Sequence, residues 1–253
     1  MIKLMFAAVA ALVLFQDPKP VRNPWAGFPD GSFAVIESVT TNDGKTTTEK
    51  QRFTVQIEKD GGVTHLVSKE EKDPSIFFEV RHHTPGNAPD KSWGTTSKPK
   101  PAELTLGGKK LACEITDYVH RDEGRRVEVR ARVWRTRDLK VPYREIKRDG
   151  ADIALDTDVV RFEMTSKTAE GSQKFTFAIV DPAAKITVGG KELPCQLEEG
   201  AAEESMGGQT LKATVRRWLT DAIPGRVARQ EIRGEANGKK MERTETVLSW
   251  STK

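Results

Sequence analysis

The chain has 253 residues, 36% hydrophobic and 31% charged, with a formal net charge of +4. That length can bury a substantial core, while the low apolar content suits sheets with one wetted face better than a doubly buried parallel sheet. So small a positive balance on so long a chain carries no nucleic-acid signature, and no nucleic-acid partner is expected.

Residues 1–16 stand apart. Lys3 supplies a positive start, and Leu4 to Phe15 are unbroken apolar or small residues. This run is shorter than the roughly 20 residues of a spanning helix and matches the apolar core of an export signal peptide. Its cleavage signal is weak: Ala8-Val9-Ala10 lies inside the run, and a cut near Gln16 would follow Phe15. The alternatives are an N-terminal strand or an uncleaved anchor. The expectation is an exported chain, periplasmic or extracellular and not membrane-spanning. Residues 17–31 form an extended lead-in whose Trp25 and Phe28 dock against the body.

Strand-like runs then follow in close order. Ser32–Thr41 ends at Asn42-Asp43-Gly44-Lys45, a strong hairpin signal. Thr46–Lys59 alternates Phe53, Val55 and Ile57 against Thr54, Gln56 and Glu58. Val63–Lys69 and Ser75–His82 continue the meander. Residues 84–101 read as a long Pro-, Gly- and Ser-rich loop. Arg125–Arg137 alternates again, with Val127, Val129, Ala131 and Val133 on one face and Arg126, Glu128, Arg130, Arg132 and Trp134 on the other. No segment after residue 15 has capped 3.6-residue periodicity, so at most one helical turn is expected, over residues 139–147.

One phrase occurs twice: LTLGGKKLAC from Leu104 to Cys113, and ITVGGKELPC from Ile186 to Cys195. Each leads to an Arg-rich strand with a Trp, then a Pro, then Glu-Ile and a basic residue. Trp134, Pro142 and Glu145 follow the first copy; Trp218, Pro224 and Glu231 follow the second. The expected fold is therefore all-β, two duplicated antiparallel curved-sheet units forming a half-barrel or sandwich. The first unit spans 32–167 and the shorter second unit 168–253, with one continuous domain as the other option.

The repeat brings Cys113 and Cys195 to equivalent positions. Two readings stand: a buried small thiol on each strand, or a disulfide between them in an oxidising compartment. Of the four histidines, His82 and His83 are adjacent and point to opposite strand faces, and neither they, His65 nor His120 has ligands at metal spacing. No metal site, cofactor or catalytic motif is indicated. The notable cluster is basic: Arg121 to Arg148 holds eleven Lys/Arg against five Asp/Glu. In it Arg132 and Trp134 share a strand face, as Arg216 and Trp218 do in the second copy. These four are the candidate ligand-binding residues, for an anionic envelope polymer or a lipid headgroup. The competing reading is a structural Arg–Trp ladder with acidic partners, Glu198, Glu199, Glu203 and Glu204 supplying the matching charge.

The Gly-Lys turn before a Leu-x-Cys strand (GGKKLAC, GGKELPC), followed by a Trp-bearing strand and Val-Pro or Ile-Pro, resembles exported bacterial β-proteins of unknown function of the planctomycete type. It is more distantly similar to the periplasmic lipoprotein-carrier superfamily. That resemblance implies an incomplete antiparallel barrel and a hydrophobic groove; the covering helices of that superfamily have no counterpart here, and no catalytic residue is carried over. The expected function is a non-catalytic binding or scaffolding module of the envelope. The alternative is a carrier of lipid or another apolar ligand in a half-barrel groove, and the third reading is a hydrolase.

Overall fold

The structure is a computed structural model describing residues 24–59, 63–69, 78–82, 95–124, 126–142, 144–146, 153–155, 157–236 and 238–253. The export-signal segment, His83 and residues 84–94 of the expected loop lie outside the described residues.

Tight turns set the strand order. β1 (Phe33–Asn42) and β2 (Lys45–Ile57) are joined by Asp43-Gly44, with φ of 47° and 79°. Two positive φ values make the primed turn whose twist matches its flanking strands, which fixes Asn42 opposite Lys45. β3 (Val63–Ser68) and β4 (Phe78–His82) complete the meander. β5 (Thr95–Thr96) and β6 (Lys100–Leu106) both pair along β7 (Lys109–Asp122). β8 (Val127–Arg135) follows, and β9 (Arg144–Ile146) pairs with β10 (Ile153–Leu155) in a separate ribbon. The rest are β11 (Val159–Lys167), β12 (Gly171–Val188), β13 (Lys191–Met206), β14 (Gln209–Leu219), β15 (Val227–Ala236) and β16 (Lys239–Ser251).

Fourteen strands form one antiparallel, curved, unclosed sheet. Its order is β4-β3-β2-β1-β16-β15-β14-β13-β12-β11-β8-β7-β5, with β6 also on β7. The all-β expectation holds, and no helix occurs among the described residues. The helical turn considered for residues 139–147 is corrected: Leu139–Pro142 is irregular chain and residues 144–146 are β9. The loop reading of 84–101 is also corrected at its end, where residues 95–96 and 100–101 are strand. Strands of residues 32–82 join the sheet through β16, while β6, β7 and β8 lie at its other end.

β12 is 18 residues long and contains Asp181-Pro182, with register irregularities at Ile179/Asp181 and Asp181/Ala184. A proline lacks the ladder N–H, and a bulge is where a strand tolerates that.

The two faces pack differently. Register partners share a face, so Val133, Phe162, Phe177, Gly200 and Val215 form one row across β8, β11, β12, β13 and β14. Phe162 is wholly buried there with Val129, Val133 and Met164; burial of such a side chain contributes roughly 1.5–3 kcal/mol. Gly200 leaves room for its neighbour, since a Cβ at that position would fall on the Phe177 ring.

On the Trp134 face, the Gly107-Gly108 turn, φ 53° and 79°, folds back until the Gly107 N–H donates to the Val180 carbonyl at 3.2 Å. That closes a core of Leu106, Cys113, Trp134, Val160 and Ile179. The Gly189-Gly190 turn, φ 52° and 77°, lies close to the Leu248 carbonyl, where a Cβ on Gly189 would crowd the oxygen. It closes a second core of Val188, Ala228 and Val247, with Trp218 packed against it. Trp25 and Phe28 dock on Val55 as expected, and Arg226 donates to the carbonyls of Pro24 and Ala26.

Candidate binding face

The Arg–Trp positions recur in the ladder registers. Cys113 stands opposite Ala102 and Cys195 opposite Ala184. Ile115 faces Trp134, and Leu197 faces Trp218. On the next strand Trp134 faces Arg161, and Trp218 faces Arg229.

Each tryptophan lies between two guanidiniums. Arg161 is 4.8 Å and Arg132 5.9 Å from the Trp134 ring; Arg216 is 5.3 Å and Arg229 5.4 Å from the Trp218 ring. Each of these cations also has a carboxylate. Arg132 donates to Asp117 at 2.6 Å and Arg161 to Glu163 at 2.5 Å. Arg216 lies 3.0 Å from Glu199, and Arg229 2.7 Å from Glu231. The hydrogen bond from Arg132 and the charge of Asp117 push the guanidinium further up from its ordinary value. Hydrogen bonds from Arg130 and Arg121 likewise hold the Glu128 carboxyl below the usual carboxylate range. Within the basic cluster Arg121, Arg130, Arg132 and Arg135 are thus paired with carboxylates, and Trp134 is buried, leaving its ring edge little to offer a ligand.

Cys113 and Cys195 are free, buried thiols, and no bridge joins them. His65 is buried, stacked 4.7 Å from Trp25 and tilted against Phe53 at 5.7 Å, which anchors the lead-in. Among the described residues no three His, Cys, Asp or Glu side chains converge as metal ligands.

A feature that the sequence reading missed lies further along the same face. A cavity of about 530 Å³ crosses β12 to β16. Lys174, Glu203, Lys212, Glu235 and Lys240 stand opposite one another in register, strand by strand. Register partners project from one face, so these five exposed side chains make a rung of alternating sign along the cavity. Lys212 lies 3.6 Å from Glu203. Thr176, Ala201 and Thr214, short residues of the neighbouring row, keep the floor low. No local pattern in the sequence marks this rung, because its members come from five strands.

Glu198, one of the expected acidic partners, pairs with Arg217. Arg217 Nε donates to Glu198 at 2.8 Å with both side chains buried, and its guanidinium lies 5.2 Å from the Phe177 ring. At the corresponding ladder positions near the first phrase stand Thr116 and Val133.

No protein-family model matches the chain, and no curated protein matches it. Among solved structures it is similar to a Bacteroides fragilis protein described as exported and YmcC-like in fold, at 10% identity and TM-score 0.34, over 88% of this chain and 97% of that one. The lipoprotein YmcC of Escherichia coli K12 follows at 9% identity and TM-score 0.30, over 85% and 84%. MucB in complex with MucA reaches 12% identity and TM-score 0.17, over 85% and 87%. Likenesses of this size carry no argument about activity or partners.

Proposed function

We propose that the protein is an exported, non-catalytic binding module of the cell envelope whose ligand is an extended anionic polymer lying across β12 to β16. The observation that carries this reading is the five-strand rung along the cavity. Lys174, Lys212 and Lys240 fall on alternate strands, so their spacing is about 10 Å, suited to anionic groups repeating along a chain. Glu203 and Glu235 stand between the lysines in register, with Glu203 3.6 Å from Lys212, an alternation that favours a regularly spaced ligand over a single ion. Arg216 and Trp218 stand further along β14 on the same face, where they extend the polar surface. Co-sedimentation of the full chain with cell-wall sacculi carrying anionic polymer tests the reading. Retention that falls as salt rises supports it; no retention at low salt contradicts it.

A second reading, an apolar-ligand carrier, rests on the opposite face. There Ala202, Ala213 and Gly234 form a lane of small residues in register between Phe175 and Met241, which is 37% exposed. Lipid co-purifying in stoichiometric amount by mass spectrometry would favour the carrier, and its absence would remove it.

We also infer that the recurrent registers descend from an internal duplication, with β12 closing the first copy and opening the second.

A further inference from the structure

β2 has one strand-length of backbone without a neighbour among the described residues. It pairs with β1 from Lys45 to Thr54, but β3 joins it only from Arg52 onward. Val55, further along β2, donates to the Ser32 carbonyl and accepts from the Gly31 N–H, so odd-numbered residues turn their peptide groups toward β1. Alternation then directs the N–H and C=O of Thr46, Thr48 and Lys50 outward. An exposed edge of this kind templates pairing with another strand unless a proline, bulge or unmatched charge prevents it. The stretch Lys45–Gln51 (KTTTEKQ) has no proline and three consecutive β-branched residues.

The charges on this edge match themselves. Lys50 is committed to Glu37 at 3.5 Å, whereas Lys45 and Glu49 are exposed and have no ion-pair partner among the described residues. We propose that the edge pairs with the same edge of a second copy, antiparallel about a two-fold axis at Thr47. Only registers that set even-numbered residues opposite one another use the outward groups. Centring on Thr46 sets Asp43 against Glu49, and centring on Glu49 sets it against itself. Centring on Thr48 leaves both free charges unmatched. Centring on Thr47 places each Lys45 opposite the Glu49 of the second copy, two ion pairs from one interface, and Thr46 opposite Thr48. The contact is isologous and closed, as expected of a two-fold dimer, and it would continue the sheet across both copies.

The test is sedimentation of the full chain over a concentration series, with variants chosen to spare the β1 ladder. Thr48→Pro removes an outward N–H and no bond to β1, so it should abolish the dimer and leave the thermal midpoint of the monomer unchanged. Glu49→Lys should weaken association about tenfold or more, and Lys45→Glu with Glu49→Lys should restore it. Thr47→Cys should give a disulfide-linked dimer under mild oxidation. A chain monomeric at all concentrations overturns the proposal, as does a dimer indifferent to Thr48→Pro or a double charge swap without rescue.

Discussion

Trp134 and Trp218 hold the same place in two ladders of one sheet. Each faces an apolar residue on the preceding strand, Ile115 or Leu197, and an arginine on the following one, Arg161 or Arg229. The arginine covers the ring while its guanidinium is held by Glu163 or Glu231. Trp134→Ala should therefore cost about 3 kcal/mol through the cavity it leaves in its core, and Trp218→Ala somewhat less, because that ring is only half buried. Arg161→Ala and Arg229→Ala should each cost about 1 kcal/mol, the scale of a cation–π contact. Denaturant midpoints check this, and equal losses from the two arginines would mark the two sites as equivalent.

Glu198 and Arg217 show what differs between the two ladders. Removing one partner of a buried pair strands the other charge, so Arg217→Ala should destabilise by roughly 3–5 kcal/mol. Thr116 and Val133 offer the fold's own uncharged solution at the corresponding positions. The double change Glu198→Thr with Arg217→Val should therefore recover most or all of the wild-type stability, because a well-packed replacement spares both desolvation costs. Urea denaturation of the single and double variants distinguishes the outcomes; additive losses would contradict the correspondence.

The cysteines give a pH prediction. Burial pushes the Cys195 thiol up to about 11, and the charge of Asp181 adds to it. Burial and then Asp138 push Cys113 up, against a hydrogen bond with Thr136. An unfolded thiol ionises near 8.5, so the folded state favours the neutral form. The stability this contributes is complete below the unfolded value and is lost as pH rises from about 9 through 11. The denaturation midpoint of the wild type should fall more steeply over that interval than that of Cys195→Ala. Both thiols should also resist thiol reagents at pH 8 until the protein unfolds; prompt labelling of the native chain would contradict their burial.

What was legible in the sequence was local. Asp43-Gly44 and the two Gly-Gly turns impose positive φ, so hairpins were bound to form there, and the Val/Arg alternation of β8 declared its two faces. Residues 196–206, a polar and small-residue stretch with four glutamates, gave no strand signal. They are held as β13 by neighbours on both sides, with Glu198 buried only because Arg217 comes opposite. Pro182 sits inside β12 at the register irregularity between Asp181 and Ala184, where a strand tolerates a residue without an N–H. The cavity rung was illegible for a deeper reason: its alternation of charge exists only once five separate strands are in register. The Arg132–Trp134 and Arg216–Trp218 pairs, visible at once in the sequence, turned out to be well supplied with carboxylate partners.

The location of the binding face is tested most directly by comparing affinities for anionic cell-wall sacculi across charge variants. Lys212→Glu, in the middle of the rung, should weaken binding by about tenfold or more, as expected when attraction to an anionic polymer becomes repulsion. Arg132→Ala, on β8 and outside the rung of β12 to β16, should leave the affinity within about twofold of wild type on the scale of a surface charge remote from the ligand. Equal affinity of wild type and Lys212→Glu, or a larger loss from Arg132→Ala, would contradict the placement of the ligand across β12 to β16.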